Sequence, residues 1–87
     1  MRPEDTNDPH VLALQALAAC LSDEARAQRL LALTGLEPGE LRARLGDPHL
    51  LAACLDFLMG HEPDLVAVAG QLGTRPEALV AARGALD

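Results

Sequence analysis

Residues 47–60 read DPHLLAACLDFLMG and carry the clearest helix signal in the chain. Asp47 can accept a hydrogen bond from a free amide of the first turn, and Pro48 suits the first helical position, where its missing N–H costs nothing. Gly60 can adopt the left-handed conformation that ends many helices. Because apolar side chains occupy most sides between these marks, we expect a central, buried helix with Cys54 and Phe57 in the core.

Asp56 is the only charged residue inside this helix. A carboxylate on a mostly buried helix must reach water or find a partner, because burying it alone is costly. We expect Asp56 to mark the solvent-facing stripe of the helix. The alternative is an ion pair with an arginine, for which Arg42 and Arg44 are the candidates.

The composition of the 87-residue chain indicates an all-α fold. Apolar residues make up 49% of it, which is enough for a core, and Leu and Ala supply most of them. Ile, Trp and Tyr are missing and Val is scarce, whereas strands favour β-branched and aromatic residues. A chain of this length has room for one domain.

Start and stop signals divide the chain into about six short helices. Asp8-Pro9 repeats the signal at Asp47-Pro48, so we expect the first helix to begin there. Pro and Gly residues punctuate the remaining helices in a similar way. The predicted helices are helix 1 (about residues 8–21), helix 2 (about 23–34), helix 3 (about 36–46), helix 4 (47–60), helix 5 (about 61–73) and helix 6 (about 74–86). We therefore predict a compact all-α bundle of about six short helices, which forms a single domain over residues 8–87 behind a disordered tail at residues 1–7.

A constant offset relates the two halves of the chain. The junction Gly35-Leu36-Glu37-Pro38 matches Gly73-Thr74-Arg75-Pro76, and several Leu and Ala positions match at the same offset. Because Leu and Ala are so common here, only the shared Gly-x-x-Pro spacing carries weight. It allows a second description of the bundle, as two three-helix units in tandem, and two copies are too few for a solenoid.

Helical spacing predicts which side chains of the first two helices face the core. In helix 1 the apolar residues that share one face are Val11, Leu14, Leu17, Ala18 and Leu21. We expect this face to be buried, and we expect the three leucines of helix 2 at positions 30, 31 and 33 to face inward as well.

Four of the seven arginines lie on helices 2 and 3, whereas acidic residues cluster in the N-terminal tail and around helices 4 and 5. Arg26 and Arg29 are expected to share the outer face of helix 2. On neighbouring helices the four arginines would form a basic patch suited to an acidic partner protein. The alternative is that they are ordinary solvated helix faces. The candidate interaction surface comprises Arg26, Arg29, Arg42, Arg44 and Asp56.

No pattern in the sequence indicates catalysis or a bound cofactor. The chain has neither a Gly-rich phosphate loop nor a dinucleotide fingerprint, and its Cys and His residues lack zinc-site spacing. Cys20 and Cys54 each lie in an apolar helix, so we expect two buried thiols in a reducing cytosol rather than a structural disulfide. We therefore expect a non-enzymatic protein with no catalytic residue, metal, cofactor or small-molecule substrate.

Charge and hydropathy narrow the classes of partner. The net charge of −6 disfavours nucleic acid and an anionic membrane surface. The apolar run at residues 11–21 is too short to span a bilayer, and the polar N-terminus is not a secretory signal, so we expect a cytoplasmic protein. Residues 65–86 resemble a helix-turn-helix, but the second helix offers only Arg75 and Arg83 to a base edge.

The chain has more apolar helix surface than six short helices can hide, which is typical of proteins that bind other proteins. We expect an interaction module that binds a partner protein, or a second copy of itself as a homodimer, through an apolar face of helix 1 or helix 4. A DNA-binding regulator that uses residues 65–86 is the alternative.

An ordered set of residues resembles a known family. The set comprises Leu31-Ala32-Leu33-Thr34-Gly35-Leu36, Pro38, Leu41-Arg42, Asp47-Pro48, Leu55-Asp56-Phe57-Leu58 and His61-Glu62-Pro63-Asp64-Leu65. Over about residues 10–86 the chain is similar to short, all-helical alphaproteobacterial proteins that are labelled as a domain of unknown function. The resemblance implies a small cytosolic helical protein, and it supplies no catalytic residue, cofactor or ligand. The chain departs from the family at Leu50-Leu51, where a Phe beside a Leu is expected, and at Arg75, where an acidic cap is expected.

Overall fold

The computed structural model describes residues 8–86, and in this range the chain forms six α-helices and no strand. The helices are α1 (Pro9–Leu21), α2 (Glu24–Thr34), α3 (Pro38–Ala43), α4 (Pro48–Met59), α5 (Glu62–Leu72) and α6 (Pro76–Ala85). The predicted all-α fold and the number of helices are confirmed. The tail predicted at residues 1–7 lies outside the described residues.

Local capping signals set most of the helix ends. The carboxylates of Asp8 and Asp47 each accept a hydrogen bond, 2.8 Å long, from the amide two residues ahead. Each of these caps is followed by a proline in the first turn, as predicted. Gly35 and Gly73 end α2 and α5 with φ values of 72° and 71°, in the left-handed region that favours glycine.

Gly60 differs from the prediction. It follows α4 with φ −80°, a right-handed value, and its amide donates to the Asp56 carbonyl at 3.0 Å. The next amide, that of His61, donates to the Leu58 carbonyl at 3.0 Å. The helix therefore ends in a tighter turn that needs no left-handed residue.

Helices α1 and α4 share the centre of the bundle. Each of them packs against the other and against α2 and α5, and both also contact α6. α4 buries Leu50, Leu51, Cys54, Leu55 and Leu58, while Phe57 is half-buried against this core. The prediction that α4 is central is confirmed, although α1 is equally so. By contrast, α3 has only six residues and contacts the other helices sparsely.

The face that α1 buries overlaps the predicted one only at Leu17, which is fully buried, and at Leu21, which packs against the core. Its buried residues are Ala13, Ala16, Leu17, Ala19 and Cys20. Of the residues predicted to face inward, Val11, Leu14 and Ala18 are exposed. The reason is steric, because small side chains on the inner face let neighbouring helices approach α1 closely. The same prediction is wrong for Leu33 of α2, which is 64% exposed.

The burial pattern repeats after a shift of 38 residues. Under this shift α2 (Glu24–Thr34) maps onto α5 (Glu62–Leu72) end to end. The pairs of buried residues that the shift relates are Ala13 and Leu51, Ala16 and Cys54, Leu17 and Leu55, Cys20 and Leu58, Leu30 and Val68, and Leu41 and Leu79. The repeat supports the description as two three-helix units, named here unit 1 (residues 8–46) and unit 2 (residues 47–86).

Candidate functional site

The outer face of α1 is an uncharged apolar stripe. Val11 is 40% exposed, Leu14 is 42% exposed, and Ala18 is exposed one turn further on. These positions follow i, i+3, i+7 spacing, so their side chains line up along one side of the helix. No acidic or basic residue occurs between Val11 and Leu21. Val11, Leu14 and Ala18 together are named the α1 ridge.

Two hollows border α1. The hollow toward α6 has a volume of about 320 Å³ and is lined by Pro9, Leu12, Ala78, Ala81, Ala82 and Ala85. The hollow toward α5 has a volume of about 430 Å³ and is lined by Gln15, Ala18, Ala19, Gln71 and Leu72. Ala18 of the α1 ridge lines the hollow toward α5, and neither hollow is lined by a charged residue.

Asp64 forms the centre of an ionic cluster at the N-terminal ends of α2 and α5. Its side chain is only 9% exposed. Arg29 Nη2 lies 3.0 Å from Oδ2 of Asp64 and donates to Oδ1 at 3.2 Å, while His61 Nδ1 lies 3.1 Å from Oδ2. Arg26 Nε lies 3.5 Å from Oδ1. A carboxylate this deeply buried needs such partners, because an unpaired buried charge is costly.

The prediction that Arg26 lies on the outside is wrong. Its side chain is 11% exposed, and Nη1 donates to the Ala19 carbonyl at 3.3 Å. Arg26 therefore covers the end of α1 while it faces Asp64. Arg29 is half-exposed, in better agreement with the prediction, and its guanidinium lies 5.9 Å from the centre of the Phe57 ring. This distance is typical of a cation–π contact.

The shift that relates the two units also relates the members of this cluster. It maps Asp23 onto His61 and Arg26 onto Asp64. Asp23 pairs with Arg26 at 3.7 Å, as His61 pairs with Asp64 at 3.1 Å. Arg26 and Asp64 are thus equivalent positions that contact each other, which is expected where two copies meet around a common axis. The charges at these positions are opposite in the two units.

The structure does not bring all four predicted arginines together. Arg26 and Arg29 share the Asp64 carboxylate. Arg42 instead lines a hollow formed by α1, α2 and α3, and Arg44 lines another beside the start of α4. The four residues therefore belong to separate parts of the surface.

Asp56 is exposed, as predicted, and it also forms an ion pair. Arg83 Nε lies 2.7 Å from Oδ1 of Asp56. The alternative prediction of an ion pair between Asp56 and an arginine is therefore confirmed, but the predicted partners Arg42 and Arg44 are wrong. The arginine comes from α6, which packs against α4.

Cys20 of α1 and Cys54 of α4 face each other in the core. Their Sγ atoms are 3.7 Å apart, and both residues are fully buried free thiols. Hydrogen bonding between the two thiols raises the pKa of Cys54, and burial raises it further. The same hydrogen bond lowers the pKa of Cys20, an effect that burial opposes and the nearby Arg26 guanidinium supports. The prediction that both thiols are buried is confirmed.

Sequence reasoning missed three residues of these clusters, His61, Asp64 and Arg83. The repeat is a signal for the first two, because the offset leads from Asp23 and Arg26 to their positions. No local signal marks Arg83, since its contact with Asp56 depends on how α6 lies against α4.

The remaining features of residues 8–86 concern metals and membranes. In this range no group of three or more His, Cys, Asp or Glu side chains is placed to hold a metal ion. None of the six helices combines the length and the apolar character that crossing a membrane requires.

The family of this chain follows from its similarity to known proteins. Residues 6–87 match a family model described as "Protein of unknown function (DUF3572)". The comparisons with the curated proteins and with the solved structures yield no match. The expected resemblance to a domain of unknown function is confirmed. Because the match spans nearly the whole chain, this protein belongs to the DUF3572 family.

Proposed function

We propose that this protein is a non-enzymatic interaction module that forms a two-fold homodimer through the α1 ridge and the hollows that border α1. The exposure of Val11 and Leu14 carries the proposal. These are among the larger side chains of α1, yet they are exposed while three alanines of the helix are buried. Burial of the exposed stripe against another copy would remove apolar surface from water, which favours association.

The absence of charge on this face supports self-association. Each chain carries a net charge of −6, so two copies repel each other over most of their surfaces. The α1 ridge lies within a helix that has no charged residue, and the hollows that border α1 are also lined by uncharged residues. Contact at this face brings no like charges together, and interface cores are generally depleted in charged residues.

The shape of the face also supports a second copy as the occupant. A two-fold interface uses the same patch on both chains, so the patch must be complementary to itself. A ridge beside a recess meets this requirement, because the ridge of each copy can enter the recess of the other. The alanine-lined hollow toward α6 is the better receptor, since all its lining residues are apolar.

A cytoplasmic location is part of the proposal. Buried free thiols such as those of Cys20 and Cys54 are typical of proteins kept in a reducing compartment. Arg42 and Arg44, which are exposed on separate parts of the surface, stay predicted contacts for an acidic partner.

The helix-turn-helix alternative receives less support. The exposed positions of α6 are Glu77, Val80, Ala81, Gly84 and Ala85, none of which reads a base edge well. Arg83 is already engaged by Asp56 at 2.7 Å. A mobility-shift titration with random duplex DNA distinguishes the two functions, because phosphate binding should appear first at low salt. We expect no shift there.

The dimer is tested by size-exclusion chromatography with light scattering over a range of concentrations. We expect the full chain to form a dimer and Leu14→Glu to weaken it at least tenfold. Burying an unpaired carboxylate at the ridge should cost more than roughly 1.4 kcal/mol, which is a factor of ten in affinity.

Leu33→Glu is the matched control. Leu33 is a more exposed leucine, on α2 rather than on the ridge, and the substitution makes the same change of charge. It should leave the dimer intact. A wild-type chain that stays monomeric at the highest concentration would contradict the homodimer. The α1 ridge would then be a candidate contact for a different protein. Equal weakening by both substitutions would contradict the assignment of the interface to α1.

A further inference from the structure

The paired thiols in the core are not used by the proposed interface. Cys20 lies in the last turn of α1 and Cys54 lies in the middle of α4, so a bond between them would join the two central helices. Their Sγ atoms already face each other at 3.7 Å. A disulfide needs an S–S length of about 2.05 Å, so the two atoms must approach by roughly 1.6 Å.

We propose that Cys20 and Cys54 form a reversible dithiol–disulfide pair that a small peroxide oxidises. The required approach is small because the sulfur atoms are in direct contact with no side chain between them. The inference rests on the thiol geometry and does not depend on the α1 interface.

The reaction with hydrogen peroxide balances in two steps. The Cys20 sulfur, as thiolate, attacks one peroxide oxygen, the O–O bond breaks, and the second oxygen leaves as hydroxide, which takes up the thiol proton to form water. The resulting sulfenic acid is attacked by the Cys54 sulfur, which forms the S–S bond, breaks the S–O bond and releases a second water. The two sulfurs together lose two electrons, and the peroxide oxygens gain them.

Cys20 is the more suitable residue for the first step. Its pKa is lowered by the hydrogen bond with Cys54, and the guanidinium groups of Arg26 and Arg29 also favour its thiolate, against the effects of burial and of the Asp64 carboxylate. Arg26 bonds to the carbonyl of Ala19, so this positive charge lies beside the chain segment that carries Cys20.

The burial of both thiols favours small oxidants over large ones. Both thiols are fully buried, so an oxidant must reach them through a local opening of the fold. Hydrogen peroxide is about the size of two waters, so a small opening admits it. Oxidised glutathione is much larger, and its reaction passes through a mixed disulfide that must fit at the buried sulfur. The site should therefore respond to a small peroxide faster than to oxidised glutathione.

The experiment exposes the folded full chain to hydrogen peroxide, alkylates it after denaturation, and measures intact mass. We expect loss of both alkylatable thiols and a mass lower by two hydrogens. Trypsin cleavage after Arg26 and Arg44 places Cys20 and Cys54 on separate peptides, which should stay linked until a reductant is added. Reduction should restore both thiols, and oxidised glutathione at equal concentration should react more slowly.

Two variants serve as controls. Cys20→Ala and Cys54→Ala each leave one thiol, so neither can lose two hydrogens within one chain. The wild-type peptide map alone decides the question if either variant fails to fold. Persistence of both thiols after prolonged exposure to excess peroxide would overturn the proposal, and so would disulfides that join only separate chains. Glutathione adducts formed as fast as the disulfide would overturn the selection for a small oxidant.

Discussion

The first helices of units 1 and 2 begin in the same way, but the two units use their third helices differently. α3 has six residues and contacts its neighbours sparsely, whereas α6 has ten and packs against α1, α4 and α5. The shift of 38 residues maps the exposed Arg44 onto the buried Ala82. Alanine can lie against α1, but an arginine there would bury an unpaired charge. The repeated signals therefore make the helices, and single side chains decide which of them enter the core.

Leu41 of α3 and Leu79 of α6 are buried at equivalent positions of the two units. Replacing them should have the largest effect on the free energy of unfolding. We expect Leu79→Ala to cost about 4 kcal/mol in the free energy of unfolding, because the cavity would lie under a helix that three others hold in place. Leu41→Ala should cost about 2 kcal/mol, since the sparsely held α3 can collapse into the space. Urea denaturation of both variants measures the difference.

Leu33→Ala is a suitable control for both variants, because it removes the same atoms from a leucine that is mostly exposed. It should leave the free energy of unfolding nearly unchanged. Equal losses for Leu41→Ala and Leu79→Ala would contradict the distinction between a peripheral α3 and a central α6.

How much of this architecture is predictable from the sequence depends on the range of each interaction. The caps at Asp8 and Asp47 act within two residues, so the sequence predicts where these helices begin. The buried face of α1 is not predictable in this way. Helical spacing favours the side of Leu14, but close contact between helices favours the side that carries the alanines. Only the three-dimensional arrangement decides between these two faces.

The candidate site follows the same rule. The four arginines are visible in the sequence, but the partner of Arg26 lies on another helix and is reached only when α2 and α5 meet. The facing thiols of Cys20 and Cys54 likewise depend on how α1 crosses α4. Interactions between distant segments need a packing geometry that local signals do not contain.

Arg26 and Asp64 occupy equivalent positions in the two units and carry opposite charges. Asp64→Ala removes the carboxylate that Arg26, Arg29 and His61 surround, and it leaves the largely buried Arg26 without that partner. We expect a loss of about 2 kcal/mol in the free energy of unfolding, because hydrogen bonds to a charged group contribute roughly 1.5–3 kcal/mol. Thermal and urea denaturation at neutral pH measure it.

Exchanging the two charges sharpens this test. The double variant Arg26→Asp with Asp64→Arg keeps one positive and one negative charge, but its new arginine meets Arg29 and its new aspartate meets Asp23. We expect it to be no more stable than Asp64→Ala, because the neighbours of each position favour the original sign. Recovery of wild-type stability by the exchange would show that the neighbours have no such influence.

The smallest expected effect concerns Asp23 and His61, the equivalent residues that precede α2 and α5. The carboxylate of Asp23 accepts a hydrogen bond from the Arg26 amide at 3.1 Å, whereas the equivalent His61 makes no side-chain cap bond. This hydrogen bond, together with the Arg26 charge, lowers the pKa of Asp23 below its ordinary value of 3.8. Unit 1 therefore begins α2 with an acid-sensitive cap that unit 2 lacks.

Asp23→Asn isolates this contribution, because asparagine caps a helix about as well but does not titrate. As the pH falls past 3.8, the unfolded chain takes up the Asp23 proton before the folded chain does, so the cap's contribution to stability is lost toward lower pH. Urea midpoints of the wild type and of Asp23→Asn, measured from about pH 6 to about pH 3, should therefore converge as the pH falls. A constant gap over this range would mean that the Asp23 charge stabilises the folded and unfolded chains equally, and that the two units do not differ in this respect.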